Sequence, residues 1–423
     1  MAKLSPPALR KFNAMTQKLS KAFGIGKKVY DAWRFRRFEH ATHPDTWRLR
    51  DQIIPWADEH AVNAELYETA EAYAAAADPV VRQGYELVET VKRLYKNKYA
   101  PHDGLRILIH LPSSFASPGG HSAISNLVQS LAYIGVPVRY FGNEGVSEHL
   151  LAEFRPSVML VSDYKPFLSV IDWNTLDRYR SVNKLLVGLT ASLEEYGNSP
   201  LSERLVWAAE HGVDFYFSFR SQAYVTTRRE YAPFFDADYQ LLSIEFGVNP
   251  LAYYPVPVAI RDINYVFLAS SNRDKLPRYI SWLSEVLSEF PGVIDGPGWS
   301  KIGDFSFNAA RDRYVYSRAK VGINLHLEEQ ITWACELNER TYMLAACGTP
   351  QLVDNPKLLG EYFSGDAFFV ASSPREYAEL FRELISAPES SKGAVLNAQR
   401  EVFERHTTFH RADGFVRELQ GLL

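Results

Sequence analysis

From residue 105 onward, short apolar runs alternate with stretches whose apolar positions recur every three or four residues. LRILIHL (105–111) is continuous, β-branched and closed by turn residues, the pattern of a strand buried on both faces of a parallel sheet. A helical stretch (121–134) follows. Next come a strand at 137–141, a helix at 147–154, strands at 157–162 and 184–190, a helix at 200–211 and a strand at 215–219. PLAYYPVPV (250–258), with its three prolines, reads as an extended linker. A second series begins beyond it. It has strands at 264–270, 292–295, 321–326, 350–354 and 367–370, and helices at 276–289, 308–318, 336–347, 374–386 and 391–405. This alternation predicts an α/β protein of two doubly wound, Rossmann-like domains with right-handed crossovers.

The first hundred residues differ. Leu9, Phe12, Met15, Leu19 and Phe23 recur at helical spacing with lysines between them, and Gly24 and Gly26 end the run. Further helices are expected over 63–77 and 80–97, and Pro101 and Gly104 mark a boundary. The expected organisation is a helical extension (1–100), a first α/β domain (101–255), a second (256–405), and a closing helix (406–423) that could cross back to the first.

Composition narrows the class. The net charge of −4 over 423 residues argues against a general nucleic-acid binder. Residues 1–40 hold ten basic and two acidic residues, +8, so the remainder carries −12. A lysine-flanked apolar stripe of that kind suits a helix on an anionic membrane, or one docked on the acidic remainder of the protein or on a partner. Cys335 and Cys347 form neither a disulfide framework nor a metal cluster. No signal-peptide core and no membrane-spanning run is present, so a cytoplasmic protein, peripheral on the membrane at most, is expected.

Ligands of doubly wound domains bind beyond the carboxyl ends of the strands, at helix N-termini and Gly-rich turns. Four segments fall there. SSFASPGGHS (113–122) places Gly119 and Gly120 where backbone can approach a ligand, and His110 and His121 flank it as candidate bases. ASSNRDKLPRY (269–279) crowds Arg273, Lys275 and Arg278 at a helix start, where cations are unfavourable unless an anion joins them. GPGWS (296–300) could bring Gly298 and the Trp299 ring against a ligand, or be a plain turn. The fourth, 323–355, runs from a strand ending at His326 through a polar loop to a helix carrying Asn338 and Arg340. Asp163 and Glu194-Glu195 are further acids beside the expected cleft, and Asp236-x-Asp238 lies outside any strand end.

Asn338-x-Arg340-x-Tyr342, followed by Ala-Cys-Gly-Thr-Pro (346–350) and a strand ending at Asp354, resembles the second domain of group 1 glycosyltransferases. The spore-maturation-type branch is the nearest variety, and RHTTFHRA (405–412) is similar to its chain end. The resemblance covers about 105–418 and implies a glycosyltransferase-B fold, with a nucleotide-diphosphate sugar on the second domain and a glycan, lipid-linked or protein acceptor on the first. It implies no bound metal or other cofactor, because basic residues and helix dipoles stabilise the leaving diphosphate. By position Arg273 and Lys275 match the family's diphosphate-binding pair. His326, Asn338, Arg340, Gly348 and Thr349 join Gly298 as expected donor contacts, and Glu336 lies one residue from the family's first conserved acid. The chain departs from the family at Met343, where a ribose-binding Glu is usual. That departure leaves open a non-catalytic, glycosyltransferase-like binding subunit. A sugar-nucleotide epimerase or hydrolase would share the same architecture.

Overall fold

The computed structural model describes residues 35–423 apart from 101–103, 114–117, 194–198, 258–259, 272–274, 303–304 and 306–307. The lysine-rich helix expected over residues 9–23, Arg273 and Glu194-Glu195 lie outside the described residues.

Two parallel sheets form the body of the molecule. The first holds β1 (Ile107–His110), β2 (Val138–Phe141), β3 (Val158–Val161), β4 (Leu186–Thr190), β5 (Phe215–Ser218) and β6 (Gln240–Ser243), in the order β2-β1-β3-β4-β5-β6. The second holds β7 (Ile263–Leu268), β8 (Val293–Asp295), β9 (Ala319–Asn324), β10 (Gln351–Asp354) and β11 (Phe369–Ala371), in the order β11-β10-β9-β7-β8. Both are doubly wound, as the alternating pattern predicts. Their interior strands are buried at every position in β1, β3, β5 and β10, because helices cover both faces. The edge strand β2 instead exposes Arg139 and Tyr140, and a charge on an edge discourages pairing with another chain.

In each sheet the strand order reverses beside the first strand, between β1 and β3 and again between β7 and β9. These switch points are where neighbouring crossovers leave on opposite faces and open a crevice at the carboxyl ends. Two candidate crevices are thereby fixed by topology, one per domain.

The helices before β1 are built into the body. Helix Asp45–Val62 lies against β8 and helix Ala309–Ser317, with Arg50 donating to Asp295 at 2.9 and 3.1 Å. Helix Pro79–Tyr95 packs on helix Lys392–Arg405. Between them the Glu68 carboxylate accepts from Arg313 (2.7 Å), Tyr314 (2.6 Å) and Tyr254 (3.0 Å), which satisfies a buried charge. The stretch expected as one helix over 63–77 is two short ones, Ala64–Tyr67 and Ala70–Ala75, the second capped by Thr69.

The last helix, Thr408–Leu422, returns to the first domain. Thr408 and Ser130 share a hydroxyl hydrogen bond of 2.7 Å, and Asp413 accepts from Tyr99 at 2.7 Å. Its entry is fixed by a capping box between Thr407 and His410 and by a bridge from Thr407 to Val248. Among the described residues no helix is long and apolar enough to cross a membrane.

Candidate active site

The crevice of the second domain is a pocket of about 420 Å³, walled by the end of β9, the start of helix Leu276–Glu289 and the start of helix Glu339–Ala346. Asn338 caps the latter helix. Its side chain accepts from the Thr341 N–H at 3.1 Å and donates to the Leu325 carbonyl at 3.1 Å, which ties the helix start to the strand end. That placement carries Arg340 to the pocket wall. Arg340 Nε donates to the Leu268 carbonyl at 3.0 Å, while Nη1 is buried with no hydrogen-bond partner. The guanidinium lies 5.2 Å from the Phe267 ring centre.

Lys275 stands on the same wall and donates to Ser270 at 3.1 Å. Burial, and then the nearby charge of Arg340, lower its ammonium pKa to about 8. Two cations therefore share a partly desolvated space at the N-terminal end of a 14-residue helix, whose dipole adds positive potential. An anion here would relieve the repulsion and meet the orphaned N–H of Arg340.

The third basic residue, Arg278, is committed to the protein. It donates to Asp354 at 2.8 and 3.2 Å and to Glu328 at 2.9 Å. His326 is likewise committed. Its Nδ1–H donates to Asp354 at 2.7 Å, its Nε2 lies 3.2 Å from Thr341 Oγ1, and its side chain is fully buried. Burial acts to raise the Asp354 carboxyl, but hydrogen bonds from His326 and Arg278 outweigh it and hold the group below the ordinary range. His326 thus shapes the pocket floor and has no ring nitrogen left for a donor.

Gly298, Gly348 and Thr349 do not meet in this pocket. Gly298, at φ +91°, lets its loop pass Ser271, whose carbonyl oxygen would lie 2.7 Å from an added Cβ. Trp299 points into the core rather than at a ligand. It is 2% exposed, stacks on Phe38 and donates to the Ala269 carbonyl. Gly348, at φ +69°, follows the carboxyl end of helix Glu339–Ala346, before β10 begins, and Thr349 Oγ1 donates to the Tyr316 carbonyl. Both residues sit at the opposite end of the sheet from the pocket. The Ala-Cys-Gly-Thr-Pro motif is therefore a helix-to-strand turn here, and the expectation that its glycine and threonine touch the donor is corrected.

The crevice of the first domain is a second pocket, of about 480 Å³, at the ends of β1, β3, β4 and β5. His110, the last residue of β1, lines it. The ring is 2% exposed, packed between Phe141 and Phe167, and neither nitrogen has a hydrogen-bond partner. Burial lowers its pKa, so the neutral imidazole, which can take a proton, is favoured. Gly119 and Gly120 line the same pocket in the first turn of helix Pro118–Tyr133. A Cβ on Gly119 would meet no atom within 4 Å, so packing does not demand this glycine and space lies before it. His121 does not line this pocket, and its Nδ1–H donates to the Pro112 carbonyl at 2.8 Å.

Arg220, which the sequence reading did not single out, joins the two crevices. It follows β5, lines the first-domain pocket and donates to Glu336 of the second domain. Glu336 also accepts from Gln330 at 2.9 Å, and Gln330 lines the second-domain pocket. Both Glu336 oxygens are thus engaged, which makes it a strut between domains rather than an unencumbered base. Tyr224 to Glu329 (2.9 Å) and Ser221 to the Ala334 carbonyl (2.6 Å) reinforce the same junction. Glu339 adds a further tie, accepting from Ser122 at 3.3 Å and Asn126 at 3.2 Å.

Residues 277–417 match a family model described as glycosyl transferase-like. No curated protein matches the chain. Among solved structures, the chain is similar to sucrose-phosphate synthase from Thermosynechococcus elongatus, at 12% identity and TM-score 0.47, over 75% of this chain and 99% of that one. It is also similar to the HepE protein of Anabaena in complex with UDP and glucose, at 13% identity and TM-score 0.48, over 75% and 100%. T4 phage BGT in complex with its UDP-glucose substrate matches at 11% identity and TM-score 0.46, over 75% and 99%.

Proposed function

We propose that the protein is a glycosyltransferase, which moves a sugar from a nucleoside-diphosphate sugar to a glycan, lipid-linked or protein acceptor. The second domain carries a glycosyl transferase-like sequence. The observation that carries the reading is the unpartnered guanidinium N–H of Arg340 beside Lys275, at the switch point of that domain. Such a pair is suited to a diphosphate, with Arg bonding an oxygen directly and Lys acting as a point charge. The motif Asn338-x-Arg340-x-Tyr342 supports the spore-maturation-type branch of the group 1 enzymes as the nearest relatives.

In this reading the donor diphosphate lies against Arg340, Lys275 and the N-terminus of helix Leu276–Glu289, with Asn338 at the pocket wall. Arg273 joins the basic set by its position in the sequence. As the bond from the sugar to the diphosphate breaks, negative charge grows on the leaving oxygens. Preorganised cations stabilise that charge more than they stabilise the bound donor, which lowers the barrier. Their charge does the work a metal ion would otherwise do.

The acceptor lies in the first-domain pocket, and its hydroxyl oxygen forms the new bond to the sugar. That hydroxyl must lose a proton, and the reading of His110 as the base is supported by its lining this pocket with neither ring nitrogen bonded to a protein group. The Arg220–Glu336 strut ties the rim of the first-domain pocket to the second domain, and in this reading it helps keep both substrates together and away from water.

The test is a screen of sugar nucleotides against saccharide, lipid-linked and peptide acceptors, with products read by mass. Transfer that is lost in Arg340→Ala supports the reading. A protein that neither transfers a sugar nor binds any nucleoside diphosphate would refute it. Turnover to free sugar or to an epimerised nucleotide without an acceptor would replace it.

A further inference from the structure

Beside the first-domain pocket lies a separate recess of about 550 Å³, in the size range of small-molecule sites. It is lined by aromatic rings and by charged side chains. Trp173 meets Trp207 edge to face with ring centres 5.0 Å apart, and His211 stacks on Trp207 at 4.2 Å. The cluster is locked by hydrogen bonds. Trp173 Nε1 donates to the Leu168 carbonyl at 3.3 Å, and His211 Nδ1 lies 2.8 Å from the Trp207 carbonyl. The floor is the buried ion pair of Asp163 and Arg204. Lys165 and Glu203 stand at the rim, exposed.

The recess and the acceptor pocket share their walls. The Asp163 N–H donates to Thr190 Oγ1 at 2.8 Å, and Arg204 Nη2 donates to the Ser192 carbonyl at 2.8 Å. Thr190 and Ser192 line the acceptor pocket, while Asp163 and Arg204 line the recess. The two pockets are therefore neighbours, separated by a single layer of hydrogen-bonded residues.

The lining selects a chemical class. Its two acids and two bases balance, so neither an anion nor a cation gains net attraction. Fixed aromatic rings offer an apolar surface, while Glu203 and Lys165 at the exposed rim carry hydrogen-bond acceptors and donors. A neutral pyranose has both requirements, with apolar C–H bonds on its faces and hydroxyls at its edge. We propose that this recess is a saccharide subsite, which holds a sugar ring of an oligosaccharide acceptor away from the reacting hydroxyl. As an acceptor subsite it rests on the glycosyltransferase reading. As a saccharide site it does not.

The test titrates the full-length protein with maltose, cellobiose, lactose and N,N′-diacetylchitobiose, read by tryptophan fluorescence and by saturation-transfer NMR. At least one should bind, and Trp207→Ala should weaken it tenfold or more. Glu203→Gln, which changes an exposed side chain, should weaken it several-fold without touching the packing. Binding should survive Arg340→Ala, which separates this site from the donor pocket. Binding by none of the four, equal binding by both variants, or displacement of the sugar by uridine would overturn the proposal. If a disaccharide binds as expected but no nucleoside diphosphate does, the glycosyltransferase reading fails and the saccharide site stands.

Discussion

Arg220 of the first domain donates to Glu336 of the second, and this bond ties a wall residue of the first-domain pocket to the second domain. Glu336 keeps about a tenth of its side chain exposed, so the pair is well shielded from solvent. Removing Arg220 leaves a desolvated carboxylate, a loss of roughly 1.5–3 kcal/mol for a charge-assisted bond. Arg220→Ala should therefore loosen domain closure, seen as a larger radius of gyration in solution scattering and faster proteolysis at the junction. Glu336→Gln keeps an acceptor for Arg220 and should retain turnover within about tenfold. A loss of about a hundredfold or more, the scale of general-base removal, would make Glu336 the base instead.

Arg340 should dominate donor affinity, because its orphaned N–H gains a partner only when the anion arrives. Arg340→Ala should weaken nucleoside-diphosphate binding by about 10- to 150-fold, the equivalent of roughly 1.5–3 kcal/mol for a hydrogen bond to a charged group. Arg340→Lys should recover little of this, since an ammonium does not reproduce the guanidinium fork. Titration calorimetry with UDP, GDP and ADP reads both outcomes.

Ten of the eleven strands among the described residues were legible because burial on both faces leaves an unbroken apolar run, as in Ile107–His110 and Val158–Val161. β6 was missed because it has only Leu241 and Leu242 buried, with Gln240 exposed at its start. The basic cluster was legible as a local mismatch, cations at a helix start, yet the sequence could not say that Arg278 is spent on Asp354, which is 76 residues away. Arg220 left no local signal at all, since its partner lies 116 residues on in another domain. Gly348 misled for a related reason. A left-handed turn and a ligand-approach turn both call for glycine, and only the third dimension shows which end of the sheet it serves.

The depressed Lys275 ammonium makes donor binding pH-dependent. Its pKa is about 8 in the empty pocket, set by burial and then by Arg340, and a bound diphosphate raises it. Affinity should be greatest below pH 8 and should fall as pH rises through 8, where the free protein must take up a proton to bind. Lys275→Met should bind more weakly at pH 7 and lose this part of the pH slope. Affinities of both proteins at several pH values between 7 and 9.5 check the sign.

His110 should matter for turnover and little for the donor. His110→Gln removes the neutral imidazole but keeps polar bulk near Phe141 and Phe167. Turnover should fall by about 10²–10⁴-fold, the usual share of general-base catalysis, while nucleoside-diphosphate affinity changes less than about threefold. Because burial lowers the His110 pKa, wild-type activity should decline only below the ordinary histidine range. That acid limb should vanish in the variant, whose residual rate becomes flat there. Equal turnover by the two proteins would remove His110 from the chemistry.

Glu339 should make the junction between the domains stronger in acid. Burial raises its carboxyl pKa to about 7, and the hydrogen bonds from Ser122 and Asn126 offset only part of that. In the unfolded chain the same group titrates near 4.5. Between these values the folded protein holds a proton that the unfolded chain has released. The contribution to stability is therefore fully present below about 4.5, and it falls as pH rises to about 7. Glu339→Gln mimics the protonated form and can still accept from Ser122 and Asn126. Its melting temperature should match wild type at pH 4.5 and exceed it by a few degrees at pH 8. Carboxylates that are ion-paired in the folded state lose stability in acid and shift both proteins alike, so the difference between the two melts isolates Glu339. A difference that stays constant from pH 4.5 to 8 would show that folding leaves the titration of this carboxyl unshifted.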